Sequence, residues 1–505
     1  LSTQELSKLK DGFSTIIIGR EDGTGVVTLD DTATFQDPVK VAGGSTLVAT
    51  NTTNTWNITG ADQGTLSGYP NGLTFENIEN LVGGTLDDTF VFADGAAISG
   101  IIDGKAGTDT LDYTAYTNPL VVDLGTVRNI ESVLGTTAAS STLIGANTTN
   151  TWNITDTDAG TVNDTLSFTS FGNLVGGNLD DNIVFADGAA TSGTINGSAG
   201  TDTLNYSAYT SALTVDLARV TNVESVVGTT AASSTLVGAN TANTWNVTGA
   251  NAGTVNGTLN FTNFQNLTGG SVNDSFNLNG GGTVSQINGG EGADTLVAAN
   301  TTNTWRITGS RAGTLNTSTS FTSVENLTGG TADDLYAFND GVNFDGILDG
   351  SLGIDTLDYS QYTKPVQVNL AANQATGTNG VFNIENAIVP PTPEPPVVPP
   401  VVPPVVPPVV LPVVPPVVPP VVPPVVPPVV PPVVPPVVPP KTVVVAPQPP
   451  QEEAPEQLQL ACPLPEVSLE VEEPLSQPNA TDQEIARLDE NCASIPELVI
   501  ETESP

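Results

Sequence analysis

Four pairs of aspartates are the residues best placed to do chemistry in this chain: Asp88 with Asp109, Asp181 with Asp202, Asp274 with Asp294, and Asp334 with Asp355. Each lies in a glycine-rich turn, GGxxxD for the first member and GxxGxDTL for the second. The paired turns start at Gly83 and Gly104, Gly176 and Gly197, Gly269 and Gly289, and Gly329 and Gly350, a nearly constant offset. Glycines let backbone carbonyls turn inward, and a carboxylate beside them completes an oxygen donor set of the kind Ca²⁺ takes. The same aspartate can instead accept backbone N–H bonds and hold a corner. If the paired turns stack one layer apart, each repeat offers at most one half-shielded cation site, or else two structural corners.

Other chemistry is thinly supplied. There is no histidine, so the commonest general base and transition-metal ligand is missing. The carboxylate pairs recur four times, whereas a catalytic centre is normally built once. Arg128, Arg219, Arg306 and Arg311 fall in the repeats, and none recurs as a cleft motif. The expectation is therefore no enzyme; a polysaccharide-active β-helix enzyme working with carboxylates is an alternative. The 54 acidic against 12 basic residues and a formal charge of -42 argue against nucleic acid as a partner.

The elements that must position the turns repeat with them. Each unit opens on a tryptophan, Trp56, Trp152, Trp245 or Trp305; the first two intervals are nearly equal and the third is much shorter. Strand-like runs are short and alternate. In TWNIT, Trp56 and Ile58 face one way and Thr55, Asn57 and Thr59 the other; Phe90 with Phe92, and Leu120, Val122 and Leu124, alternate likewise. Glycine, asparagine and aspartate turns between them predict a right-handed parallel β-solenoid with about four coils per unit. An immunoglobulin-like sandwich array is the rival. In the second unit, TL at Leu204 is followed well downstream by TL at Leu236; the third unit runs the two together at Leu296. If both dipeptides occupy equivalent wall positions, the shortening removes whole coils. The tryptophans are expected in the core rather than in an exposed glycan-binding ladder. The ANTTNT runs are expected to form side-chain ladders along a face.

The glycine turns resemble the nonapeptide GGxGxDxUx of RTX (haemolysin-type) proteins, most closely GGEGADTLV at residues 289–297. The turns beginning at Gly104, Gly197 and Gly350 lose the second glycine. Those beginning at Gly83, Gly176, Gly269 and Gly329 carry Leu86, Leu179, Val272 and Ala332 in place of the third. That resemblance implies Ca²⁺ held between stacked turns by the eight aspartates. The stretch GFSTIIIGREDGTGVVTLDDTATFQDPVKV resembles connecting segments of large filamentous-haemagglutinin-like exoproteins. It implies a secreted or cell-surface, adhesin-like protein whose partners are cell-surface or matrix glycans or proteins, engaged by avidity.

The chain divides into a connecting β segment (1–45) whose first residues could form a short helix, a solenoid of four units (46–388), a polyproline linker (389–440) and an acidic, disordered tail (441–505). The linker's fixed φ and missing donors favour an extended spacer on the order of 150 Å long. In the tail, TDQEIARLDENCAS could form one helix, and Cys462 and Cys492 could close a loop or stay as thiols. The tail is the expected contact for outer-membrane anchoring or a secretion partner. No apolar run is long and proline-free enough for a transmembrane helix. Leu1 at the start suggests a processed piece with any export signal upstream.

Overall fold

Runs of three to six alternating residues bury one face only, so they need a second wall to close a core. The computed structural model describes residues 14–390, apart from 21–22, 32–33, 138–140 and 279–280. The expected N-terminal helix, the polyproline linker, the tail with its helix, and Cys462 and Cys492 lie outside the described residues. The described chain is all-β, with 43% strand and 3% helix. Its sheets are long and mostly parallel, compatible with a β-solenoid or β-helix. The largest has 22 strands, about 100 Å at a strand spacing of about 4.8 Å.

Successive strands alternate between this sheet and smaller sheets on the other side, and their inward residues form a single hydrophobic cluster. The strand Thr203–Asn205 stacks in register on Asn182–Phe185 and then under Ser225–Val227. Leu213–Asp216 and Ser234–Val237 pair on the opposite wall. The four tryptophans are fully buried, as are Ile58, Phe90 and Phe92. Trp56, Trp245 and Trp305 stack on Phe90, Phe276 and Tyr336, with ring planes 10°, 11° and 3° apart. The alternation read from TWNIT is thus the observed one, and the exposed aromatic ladder is overturned.

Each tryptophan strand opens a local departure from the parallel pattern. Thr55–Gly60, Gln63–Leu66 and Leu73–Glu76 form an antiparallel meander. Its last strand stacks on the earlier Val39–Ala42, while its first receives the later Thr89–Phe92. The chain therefore steps forward, folds back and resumes. The register shift between Ile58 and Gly60 marks a bulge at the first reversal.

Two expectations are corrected here. Residues 1–45 are not a separate connector: from Ile16 onward, Ile16–Gly19 pairs with Val39–Ala42, and Val26–Thr28 with Thr46–Val48, both in parallel. Nor do Leu204 and Leu236 hold equivalent walls. Leu204 pairs with Ile183 and Val226 in the large sheet, whereas Leu236 pairs with Val215 and Leu267 on the other wall. The material missing from the third unit is therefore a coil and a half. Leu296, which merges both dipeptides, lies in the large sheet, paired with Phe276 and Leu327. The fourth meander, Thr304–Gly309 with Ala312–Leu315 and Thr319–Thr322, consequently joins the opposite wall.

Candidate functional site: a buried carboxylate column

The two aspartates of each pair do stack, because their turns lie one layer apart and lead into paired strands, Thr89 opposite Thr110. What joins them is a line of charge-assisted hydrogen bonds. Asn54 donates from its backbone N–H and its amide to Asp88 Oδ1, both at 2.7 Å. Gly84 N–H donates to Asp88 Oδ2 at 2.6 Å. Asp88 N–H donates to Asp109 Oδ1 at 2.7 Å, and Asp109 N–H to Glu131 Oε2 at 2.8 Å. The same column runs through Asn150, Asp181, Asp202 and Glu224. It recurs at Asn243, Asp274, Asp294 and Glu325, and at Asn303, Asp334, Asp355 and Glu385. All eight aspartates are buried, none more than 3% exposed.

The two members of a pair are not equivalent. Both oxygens of Asp88 accept N–H bonds, but Oδ2 of Asp109, Asp202, Asp294 and Asp355 is buried with no partner. The turn sequence accounts for this. In GGxxxD the second glycine's N–H points at the carboxylate. In GxxGxD the second position, Lys105, Ser198, Gly290 or Ser351, sits at positive φ, which turns its peptide away. The N–H of Lys105 then goes to Asp103 Oδ1 at 3.1 Å, and those of Ser198 and Ser351 to Asn196 and Asp349 Oδ1 at 3.0 Å. The orphan oxygen instead shares a corner with a carbonyl. A Cβ on Gly104 would stand less than 3.0 Å from both Asp109 Oδ2 and the carbonyl oxygen of Asn129, so only glycine fits. Gly197, Gly289 and Gly350 hold the same place against Asn222, Ser323 and Asn383.

A lone carboxylate oxygen beside a carbonyl disfavours negative charge. Burial, with the charges of neighbouring carboxylates added and the N–H bond from the preceding aspartate opposing, pushes Asp109, Asp294 and Asp355 up to about 6. Asp202 is raised for the same reasons. Asp88 and Asp334 are also raised by burial, against the N–H bonds they accept.

Calcium takes six to eight oxygens. Each column, as arranged, leaves one carboxylate oxygen and one nearby carbonyl uncommitted, while the other three aspartate oxygens are occupied by N–H donors. As arranged, each column offers fewer uncommitted oxygens than a calcium shell takes, and its aspartates accept the N–H bonds of a structural corner. Among the described residues, no group of three or more His, Cys, Asp or Glu is set to hold a metal ion.

Two sets of column residues escaped the sequence reading. Glu131, Glu224, Glu325 and Glu385 end each column, signalled only by a recurring Glu at the end of a short turn. Asn54, Asn150, Asn243 and Asn303 begin it. They close the ANTTNT-type runs, which form turns: Asn54 Nδ2 donates to the carbonyls of Thr50 and Thr52 at 3.0 and 2.6 Å. The expected Asn/Thr ladder in these runs is corrected accordingly.

The cavities repeat as well. One of about 180 Å³ is lined by Phe185, Tyr206, Tyr209, Leu213 and Val215. Another of the same size is lined by Phe92, Tyr113, Tyr116, Leu120 and Val122, the equivalent positions one unit earlier. Among the described residues, no helix is long and apolar enough to cross a membrane. No family model matches the chain, and no curated protein matches it in sequence.

Proposed function

We propose that the chain is a structural repeat protein, a right-handed parallel β-solenoid that serves as a secreted or cell-surface, adhesin-like scaffold. One observation carries this reading: the carboxylate columns and the aromatic cavities are printed in copies. The carboxylate column occurs four times with the same donors and acceptors. The aromatic cavity recurs at equivalent positions in two units. An enzyme needs one place where acid, base and substrate pocket converge, whereas a scaffold gains from repetition, because many weak contacts on one body add as avidity. The acidic column makes the repeat units cohere internally, leaving the walls free for contact.

The test is protease shaving of intact producing cells, followed by detection with an antibody to residues 46–388. Release of fragments from the outside, with a cytoplasmic control protein untouched, is expected. Protection of the whole protein until the cells are lysed would sink the surface reading. Thermal melting of the purified chain in EGTA and in about 1 mM Ca²⁺, the range of extracellular modules, settles the rival. Curves that superimpose fit a column of corners, whereas a strand signal that appears only with calcium would replace this reading with a calcium-gated exoprotein.

A further inference from the structure

The large sheet has an outward face whose character departs from the rest of the chain. From Thr151 to Asn277 it contains ten strands, and Asp156, at the end of its strand, is their one charged residue. The acidic residues of this region crowd into turns and corners instead, as at Asp164, Asp180, Asp187 and Glu224. In a chain of net charge -42, a wall this long with a single charge, at one strand end, is not what composition alone would place there.

The register orders what the wall does carry. Asn182, Thr203, Ser225, Asn260, Thr254 and Asn246 stand opposite one another on consecutive strands. They are half-buried or exposed. Strand pairing sets them about 4.8 Å apart in one line. Every member carries a hydroxyl or amide that can both donate and accept. The row passes straight through the meander, so the antiparallel detour does not break it.

We propose that this wall binds a neutral polysaccharide laid along the row, with one extended sugar unit for each one or two strands. The inference rests on the surface-scaffold reading and names its partner. A hydroxyl-rich chain offers the same mixed donors and acceptors at a comparable repeat, and it is a polymer, as a row of like contacts requires. Absence of charge along the row selects an uncharged glycan over an acidic one, which the aspartate-lined edges also repel. With every tryptophan buried, the row itself offers no aromatic platform for stacking. Each contact is therefore weak, and retention comes from the number of strands engaged.

The experiment is co-sedimentation of the full chain with insoluble neutral glucan (cellulose and curdlan separately) and with calcium-gelled alginate as the acidic comparison. Binding to at least one glucan, not to alginate, and unchanged in about 1 M NaCl, where the Debye length is only about 3 Å, is expected. The pair Thr203→Lys and Ser225→Lys should reduce the bound fraction at least about tenfold. Thr149→Lys, on an exposed turn off the row, should leave it unchanged. If the lysine pair fails to melt cooperatively, Thr203→Val with Ser225→Ala removes the same hydroxyls at nearly constant shape and should weaken binding several-fold. No binding to either glucan, equal binding to alginate, or loss of binding in salt would overturn the proposal. Cell-surface exposure in the shaving experiment would then still stand, so the two readings fail separately.

Discussion

The backbone N–H of Asp88 points at Oδ1 of Asp109, 2.7 Å away, and the same bond joins Asp181 to Asp202, Asp274 to Asp294, and Asp334 to Asp355. It makes each carboxylate the acceptor for the layer before it. The layers are thus tied at one buried edge by charge-assisted bonds, in addition to the strand ladders. The asymmetry within each pair, one carboxylate saturated and the next with an orphan oxygen, gives the column its testable properties.

Asparagine substitutions should separate the two members. In Asp88→Asn one oxygen becomes an amide nitrogen that faces N–H donors, from Gly84 or from Asn54, and a buried bond turns into a repulsion. A loss of about 1–3 kcal/mol follows. In Asp109→Asn the oxygen that accepts from Asp88 N–H can be kept, and the new amide falls at the orphan position beside the Asn129 carbonyl, where it can donate. That variant should be as stable as the parent or more so. Urea unfolding of the two single variants checks the order; equal destabilisation would mean that the orphan oxygen has a partner in solution.

The pH dependence has a definite sign. Asp109, Asp294 and Asp355 are raised from 3.8 to about 6, so the fold favours their protonated forms. Their stabilising contribution is fully present below the unfolded value of about 3.9 and is lost as pH rises through about 6. Asp94 and Asp187 are lowered by hydrogen bonds from Thr117 and Thr210. These two contribute in the opposite sense, at exposed positions where the effect is small. The melting temperature should therefore fall between about pH 4 and pH 7. In the quadruple variant Asp109→Asn, Asp202→Asn, Asp294→Asn, Asp355→Asn that slope should flatten. A parent whose melting temperature rises steadily to neutrality would contradict the buried, orphaned carboxylates.

Glycine at position 104 is demanded by space. A Cβ there would meet the Asn129 carbonyl oxygen and Asp109 Oδ2, each less than 3.0 Å away. One of these is backbone and cannot swing aside, so Gly104→Ala should cost about 1–3 kcal/mol. Gly95, at φ 74°, has open space around its Cβ position. There alanine meets only backbone strain and should cost about 1 kcal/mol. Parallel urea titrations of the two variants give the difference, and equal costs would show that the corner is looser than described.

Much of this architecture was legible because short-range rules govern it. The inward placement of Trp56 and Ile58 follows from alternation, and the stacking of Asp88 on Asp109 follows from the one-layer offset of the turns at Gly83 and Gly104. The end of the column was harder. Glu131 follows Asp109 by 22 residues, but Glu325 follows Asp294 by 31, because the fourth meander lies between them. The wall assignment was harder still. Alternation says whether Leu236 faces in or out, but not which wall carries it. That depends on the count of half-coils since Leu204, and the intervening turn and single 3₁₀ helix, Leu217–Arg219, leave the count ambiguous. The orphan oxygen was hidden because it depends on the sign of φ at Lys105, which a non-glycine residue does not advertise.

The change of wall at the fourth meander can be tested by cross-linking. Gln286 and Ser320 stand opposite each other on paired parallel strands, so their Cα atoms should be about 5 Å apart. Had the shortening removed whole coils, the fourth meander would have continued the large sheet, and Thr319–Thr322 would lie against Thr295–Val297 instead. In a background with Cys462→Ser and Cys492→Ser, the pair Gln286→Cys and Ser320→Cys should form a disulfide under mild oxidation. The pair Thr295→Cys and Ser320→Cys, on opposite walls, should not, because cysteines whose Cα atoms are more than about 7 Å apart cannot be bridged without backbone movement. Peptide mapping reads both results. The reverse pattern would return Trp305 to the wall of Trp245. It would also remove the reason to expect the fourth unit to present its meander on the face opposite the other three.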